Sequence, residues 1–125
     1  MTLENCTQKS GEAIQNAWNL VLENSNPQME QVHLLLALIQ QEDGLIPQLL
    51  KKMGVTVESL EAAAEAELRK LPGVRMSREA NAFYFSHDVE DAFTAAEKQA
   101  KTMKDEYISV EHLFLGLIDA ARGSV

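Results

Sequence analysis

The sequence reads VHLLLALI at residues 32–39 and EHLFLGLI at residues 111–118, so a histidine followed by an almost unbroken apolar run occurs twice, 79 positions apart. Sliding the chain against itself by 79 residues pairs 13–46 with 92–125 without a gap, and eight of these 34 pairs are identical. Random pairing gives about two identities in such a window at ordinary protein composition. The identities fall on apolar helical stripes and at a helix stop, which predicts a duplicated helical unit.

Helical periodicity extends outward from both stretches. Apolar residues recur at helical spacing over six segments, which are 8–23, 31–42, 45–53, 57–71, 87–104 and 110–121. Residues that favour helix ends flank these segments: Thr7, Thr56, Ser86 and Ser109 stand before a helix, and Gly54 stands after one. No segment has a convincing strand pattern. The sequence therefore predicts an all-α fold, a compact domain of about six helices built by a pseudo-twofold duplication.

The duplication also predicts the organisation of the chain. We expect a single domain over 1–125, with the first repeat at about 7–72, a connector at 73–85 and an incomplete second repeat at 86–125. The length of 125 residues suits one domain.

The second copy lacks its last helix pair. The first copy continues through two helices after Gly44, whereas only two residues follow the matching Gly123. Two explanations stay open, a trimmed sequence and a unit that is naturally shorter here. In either case, a duplicated core without this pair is expected to expose apolar surface on the helices of 92–121.

Composition narrows the class of protein. Acidic residues outnumber basic ones 19 to 11, for a formal charge of −8, which argues against nucleic-acid binding and against docking on anionic membranes. The longest apolar run, Leu34–Ile39, is too short to span a bilayer, and the first ten residues have no signal-peptide pattern. Cys6 is the only cysteine, so an internal disulfide and a cysteine zinc site are excluded. We expect a cytoplasmic setting.

Motifs for catalysis are absent from the sequence. None of the six glycines is followed by lysine, so there is no phosphate-binding loop and this chain is not expected to hydrolyse ATP or to be an enzyme. His33, His87 and His112 lack metal-ligand spacing. His33 and His112 could be general bases, but their place in the first turn of two apolar helices favours a structural link to neighbouring backbone. An enzyme that uses them would need both imidazoles to face an open pocket.

Two further features leave alternatives open. Cys6 precedes the first helix and is interpreted as a bystander thiol rather than a nucleophile, since no histidine lies near it in the sequence. Asp105, Glu106 and Glu111 place three carboxylates within seven residues. They suit either a solvated helix start, whose dipole favours negative charge, or the polar edge of a binding groove.

Three phrases resemble a known family: PQMEQVHLLLALI at 27–39, LLKKMGVTVESLEAAAEAELRKLPGV at 49–74 and DEYISVEHLFLGLI at 105–118. They are similar to the N-terminal domain of the Clp AAA+ unfoldases, itself a pseudo-twofold duplication of a four-helix unit. LRKLPGV and DEYISVEHL look most like the ClpB disaggregase branch. The resemblance covers nearly all of 1–123.

The resemblance implies a non-catalytic domain joined by a flexible linker to two ATPase rings that assemble as a hexamer. ATP and Mg²⁺ would then belong to the ATPase modules, and this chain would need no cofactor. The domain would bind exposed apolar segments of unfolded or aggregated proteins, its clients, in a shallow hydrophobic groove with a polar edge. Positions matching the family's groove are Thr7, Asp105 and Glu111, with Phe93 as an apolar groove residue and Ile14 as the repeat mate of Phe93.

The resemblance leaves a second function open, an adaptor-docking domain of the ClpA or ClpC type or a stand-alone protein of this family. The isolated domain is expected to be monomeric. The chain departs from the family by lacking the seventh and eighth helices and by its connector, RMSREANAFYF at 75–85. The connector aromatics, Phe83, Tyr84 and Phe85, are expected to pack back onto the core.

Overall fold

A computed structural model describes residues 3–41, 44–71, 73 and 84–121 of the chain. A short 3-10 helix at Leu3–Asn5 precedes six α-helices, which are α1 (Gln8–Glu23), α2 (Gln31–Gln40), α3 (Leu45–Lys52), α4 (Val57–Arg69), α5 (His87–Thr102) and α6 (Val110–Ala120). These ranges contain no strand. The all-α prediction is confirmed, and the helix boundaries differ from the predicted ones by at most two residues.

The predicted helix ends have the expected chemistry at most positions. The Ser10 N–H donates to Thr7 Oγ1 at 3.2 Å, and the Val89 N–H donates to Ser86 Oγ at 3.1 Å, so both predicted caps are confirmed. Gly54 has a φ of +78°, the left-handed conformation of a residue that ends a helix. Thr56 occupies the cap position of α4 but makes no capping hydrogen bond with its side chain.

The core lies between the two helix pairs α1/α2 and α5/α6. Helices α2 and α6 are buried along most of their length because most of the residues in both are apolar. On the outer side of α2, the helix α4 covers a smaller apolar cluster made of Val32, Leu36, Ala64 and Leu68. Nothing equivalent to α4 covers α6 among the described residues.

Short backbone segments of one copy pair with segments of the other copy. Isolated parallel bridges join Cys6 to Ile108 and Met29 to Phe85. The 79-residue shift that aligns the histidines also pairs Cys6 with Phe85 and Met29 with Ile108, so each bridge is the pseudo-twofold mate of the other. The segment before the first helix of each copy therefore pairs with the segment before the second helix of the other copy.

The outer face of α6 has exposed apolar side chains, because none of the described helices covers it as α4 covers α2. Leu115 and Ile118 are 37% and 56% exposed, whereas their mates Leu36 and Ile39 in α2 are 0% and 3% exposed. Identical side chains thus have opposite environments in the two copies.

The connector is described only at its ends. Phe85 packs against the core as expected, while Tyr84 is exposed. Phe83 and the predicted stop at Gly123 lie outside the described residues, and the repeat boundaries stay a prediction. None of the described helices is long and apolar enough to cross a membrane.

Candidate functional site

His33 connects the start of α2 to the preceding loop. Its Nδ1 accepts the Glu30 backbone N–H at 2.8 Å, so the ring proton must be on Nε2. Nε2 lies 2.8 Å from Asn26 Oδ1 and therefore donates to it. Both side chains are buried. Burial lowers the pKa of His33 from 6.5 to about 4.

His112 makes the matching connection in the second copy. Its Nδ1 accepts the Ser109 backbone N–H at 2.9 Å, and the Ser109 hydroxyl lies 3.1 Å from the same nitrogen. Nε2 donates to Asp105 Oδ2 at 2.9 Å.

The enzyme hypothesis for the histidines is wrong. Both imidazoles are buried, and each uses both ring nitrogens in hydrogen bonds to its own loop and helix start. Neither nitrogen is left to accept a proton from a substrate. The structural interpretation of both histidines is confirmed.

The residues Thr7, Asp105 and Glu111 gather around one of the two bridges, and we call these three residues the rim. The Thr7 N–H donates to the Ile108 carbonyl at 3.0 Å, and the Ile108 N–H donates to the Asn5 carbonyl at 2.7 Å. Asp105 and Glu111 lie three residues to either side of Ile108 and are both exposed, and Thr7 is half-buried. The bridge therefore brings the backbone of Thr7, which is distant in the sequence, next to the segment that carries Asp105 and Glu111.

Phe93 and Ile14 lie in the core rather than on an open groove. Phe93 is 6% exposed, and Phe85 packs edge-on against it with ring centroids 4.9 Å apart. Trp18 packs on Phe85 in turn, at a centroid distance of 5.0 Å. A client would reach Phe93 only if Phe85 moved, so a binding role for Phe93 stays a prediction that the present packing does not favour.

Cys6 lacks the surroundings of a reactive thiol. It is half-buried, and this burial is the main cause that raises the pKa of its thiol above the ordinary value of 9.0. A raised pKa lowers the fraction of nucleophilic thiolate at neutral pH. Among the described residues, no three His, Cys, Asp or Glu side chains lie close enough together to hold a metal ion.

Three polar residues that connect the elements escaped the sequence-based prediction. Asn26 accepts from His33, and its mate under the 79-residue shift is Asp105, so the shift contained the signal. Gln31 donates to the Asp88 and Ala120 carbonyls at 2.8 and 3.0 Å, and so links α2 to both helices of the second copy. The third, at the end of α2, is Gln41, which donates to the Lys9 carbonyl at 2.9 Å.

The chain matches the family model described as the Clp repeat (R) N-terminal domain over residues 5–125. It is 37% identical over 116 residues to the chaperone protein ClpB of Bacillus cereus, a match that covers 92% of this chain and 13% of that protein. With ClpB of Clostridium tetani it shares 36% identity over 126 residues, covering 100% of this chain and 15% of that protein. The chain thus spans only a small part of the length of these relatives.

The fold is also found in a solved structure. The N-terminal domain of Hsp104 from Candida albicans matches with a TM-score of 0.77 at 21% sequence identity, covering 96% of this chain and 84% of that chain. The helix order, the duplication and the family match agree with one another. The chain belongs to the family of Clp repeat N-terminal domains.

Proposed function

We propose that this chain is the client-recognition domain of a ClpB-type disaggregase and binds exposed apolar segments of unfolded or aggregated proteins. The observation that carries this proposal is the similarity to ClpB over nearly the whole chain. Clp N-terminal domains are non-catalytic parts of AAA+ proteins. The proposal includes a longer parent protein, whose ATPase modules would form the hexameric ring and bind ATP and Mg²⁺. It also includes a cytoplasmic location.

The surface supports weak and tolerant binding. Tyr107 is exposed next to the rim. Apolar side chains that are already partly in water gain free energy when a client's apolar residues cover them, without a demand for a fixed client sequence. Six copies on one ring would raise the effective concentration of binding sites, so each copy can bind weakly.

The test is a titration of a fluorescently labelled unfolded protein, such as a casein, onto the chain. We expect the Thr7→Ala/Glu111→Ala variant to bind about two- to tenfold more weakly than wild type, because it removes two of the three rim residues. Thr56→Ala/Glu65→Ala is the matched control: it makes the same chemical changes at exposed positions of the α4 region. It should bind like wild type.

Equal binding by the rim variant and the wild type would refute the assignment of the rim. Binding to a folded adaptor of the ClpA or ClpC type together with no binding to casein would favour the adaptor-docking alternative. A circular-dichroism melt of each variant is needed to show that any loss of binding is not a loss of folding.

A further inference from the structure

We propose that Phe85 is an autoinhibitory residue: its ring occupies an apolar site at Phe93, and a client binds there only by displacing that ring with an apolar side chain of its own. This inference rests on the proposed function, because it counts Phe93 among the residues that contact the client. It adds a regulatory step, since the domain covers the site with its own side chain until a client competes for it.

The Phe85 ring lies against two other aromatic rings. It packs edge-on against Phe93, with ring centroids 4.9 Å apart and an interplanar angle of 83°, and its centroid is 5.0 Å from that of Trp18. Phe93 is buried, whereas Phe85 and Trp18 are each half-buried. A client can therefore touch Phe85 from solvent, and it gains access to Phe93 when the Phe85 ring moves away.

The ring can move while the backbone around it stays in place. The Met29 N–H donates to the Tyr84 carbonyl, and the Ser86 N–H donates to the Met29 carbonyl, both at 2.9 Å. These two hydrogen bonds hold the chain on either side of Phe85. A rotation about the Cα–Cβ bond of Phe85 breaks neither of them, and rotations of this kind are fast for side chains that reach the surface. Displacement of the ring therefore needs no unfolding of the domain.

The duplicated framework does not require the aromatic rings. The 79-residue shift pairs each of them with a residue that is not aromatic, namely Phe85 with Cys6, Trp18 with Glu97 and Phe93 with Ile14. Cys6 nevertheless forms a bridge of the same kind as Phe85 does. The backbone pairing is thus made with a small side chain at this position as well as with a large one. What the Phe85 ring adds is a cover over Phe93.

An apolar side chain of a client can compete with this cover. The contact between two aromatic rings contributes only modestly beyond the burial of their surface, so an apolar side chain from a client can replace the Phe85 ring at little cost. The client gains only the difference between its own contact and that of Phe85, which keeps the binding weak. Without a client, the cover keeps an apolar patch out of water and so protects the domain from aggregation.

The test is the casein titration with Phe85→Ala and with the matched variant Tyr84→Ala, which removes the neighbouring ring that is exposed. We expect Phe85→Ala to bind casein about two- to tenfold more tightly than wild type, because no side chain has to be displaced, and Tyr84→Ala to bind like wild type. A purely structural role of Phe85 predicts the opposite sign, namely weaker binding by Phe85→Ala.

A second control separates the opening of this site from a general loss of stability. Leu50 is a buried core residue of α3, so Leu50→Ala destabilises the domain without removing the Phe85 ring. It should not bind casein more tightly than wild type.

Three results would overturn the autoinhibitory role: equal binding by Phe85→Ala and wild type, weaker binding by Phe85→Ala, or equal tightening in Phe85→Ala and Leu50→Ala. If Thr7→Ala/Glu111→Ala binds weakly while Phe85→Ala binds like wild type, this inference fails and the proposed function stands. If neither wild type nor Phe85→Ala binds casein, both fail.

A measurement on the wild type covers the case in which Phe85→Ala does not fold. The rings of Phe85 and Trp18 are close enough for nuclear Overhauser effects between their protons, and Trp18 is the only tryptophan, so its indole signals are unambiguous. Addition of a short leucine-rich peptide to saturation should remove these effects. Effects that persist at saturation contradict the proposal.

Discussion

Each histidine at the start of a core helix makes the same two kinds of hydrogen bond in its own copy. Nδ1 accepts the backbone N–H at the cap position, and Nε2–H reaches seven residues back, to Asn26 from His33 and to Asp105 from His112. One side chain thus satisfies a helix-start donor and anchors the loop before the helix. At His33 the arrangement works only while Nδ1 is unprotonated, so this residue ties the stability of the domain to pH.

The pH dependence of stability follows from His33. Its folded-state pKa of about 4 lies below the ordinary 6.5, so the unfolded chain binds more protons between these values. Stability is therefore complete above about pH 6.5 and is lost as the pH falls toward 4. We expect His33 to account for a loss on the order of 2–3 kcal/mol in unfolding free energy between pH 7 and pH 4.5.

The measurement is urea unfolding at the two pH values for wild type and His33→Gln. Carboxylates also titrate in this range, but they titrate in both proteins. The pH dependence of the unfolding free energy is therefore compared between the two proteins, and the difference isolates His33. Parallel loss of stability in both proteins would contradict the buried neutral state of this imidazole.

Helices α5 and α6 approach each other more closely than any side chain at position 116 would allow. A Cβ added to Gly116 would collide with the Ala92 carbonyl oxygen and lie 2.9 Å from the Ala96 backbone nitrogen. The mate of Gly116 in the first copy is Ala37, so the two helix pairs are not interchangeable in detail. The contact atoms are backbone, which cannot move aside without shifting a helix.

We therefore expect Gly116→Ala to destabilise the domain by about 1–3 kcal/mol, although alanine is the better helix former by about 1 kcal/mol. Gly11→Ala is the control, because Gly11 also lies in a helix but a Cβ there meets nothing within 4 Å. The control should gain roughly 0.5–1 kcal/mol. Chemical denaturation of both variants measures the two changes, and a stabilised Gly116→Ala would show that α5 and α6 can separate at little cost.

The helices could be predicted because their information is local. Apolar spacing located all six, and the caps at Thr7 and Ser86 follow from side-chain chemistry that needs no partner in the tertiary structure. The cross-pairing of Cys6 with Ile108 could not be predicted in this way, because it joins residues that are distant in sequence. The position of Phe93 shows the same limit, because the packing of Phe85 against it joins residues of two different segments and cannot be read from apolar spacing.

In the whole molecule, the two copies share the arrangement of their core helices and differ in which side chains are exposed. Leu36 is covered by α4, and its identical mate Leu115 is exposed. Val32 belongs to the same covered cluster, and its mate is the exposed Glu111. A charge thus replaces an apolar side chain at a position that none of the described helices covers, which is a change that solvent exposure favours.

The pairing of backbone segments between the two copies should make both copies unfold as one unit. The Thr7 and Ile108 amides donate across one bridge, and the Met29 and Ser86 amides donate across the other, to the carbonyls of Tyr84 and Met29. Because each bridge joins one segment from each copy, unfolding of either copy breaks both bridges.

We expect these four amides to exchange with solvent only through global unfolding, with one common free energy in native-state hydrogen exchange. The Lys70 amide, bonded to the Glu67 carbonyl at the end of α4, should exchange earlier through local fraying. Two distinct free energies, one for each bridge, would instead mean that the copies are separate folding units that merely pack together.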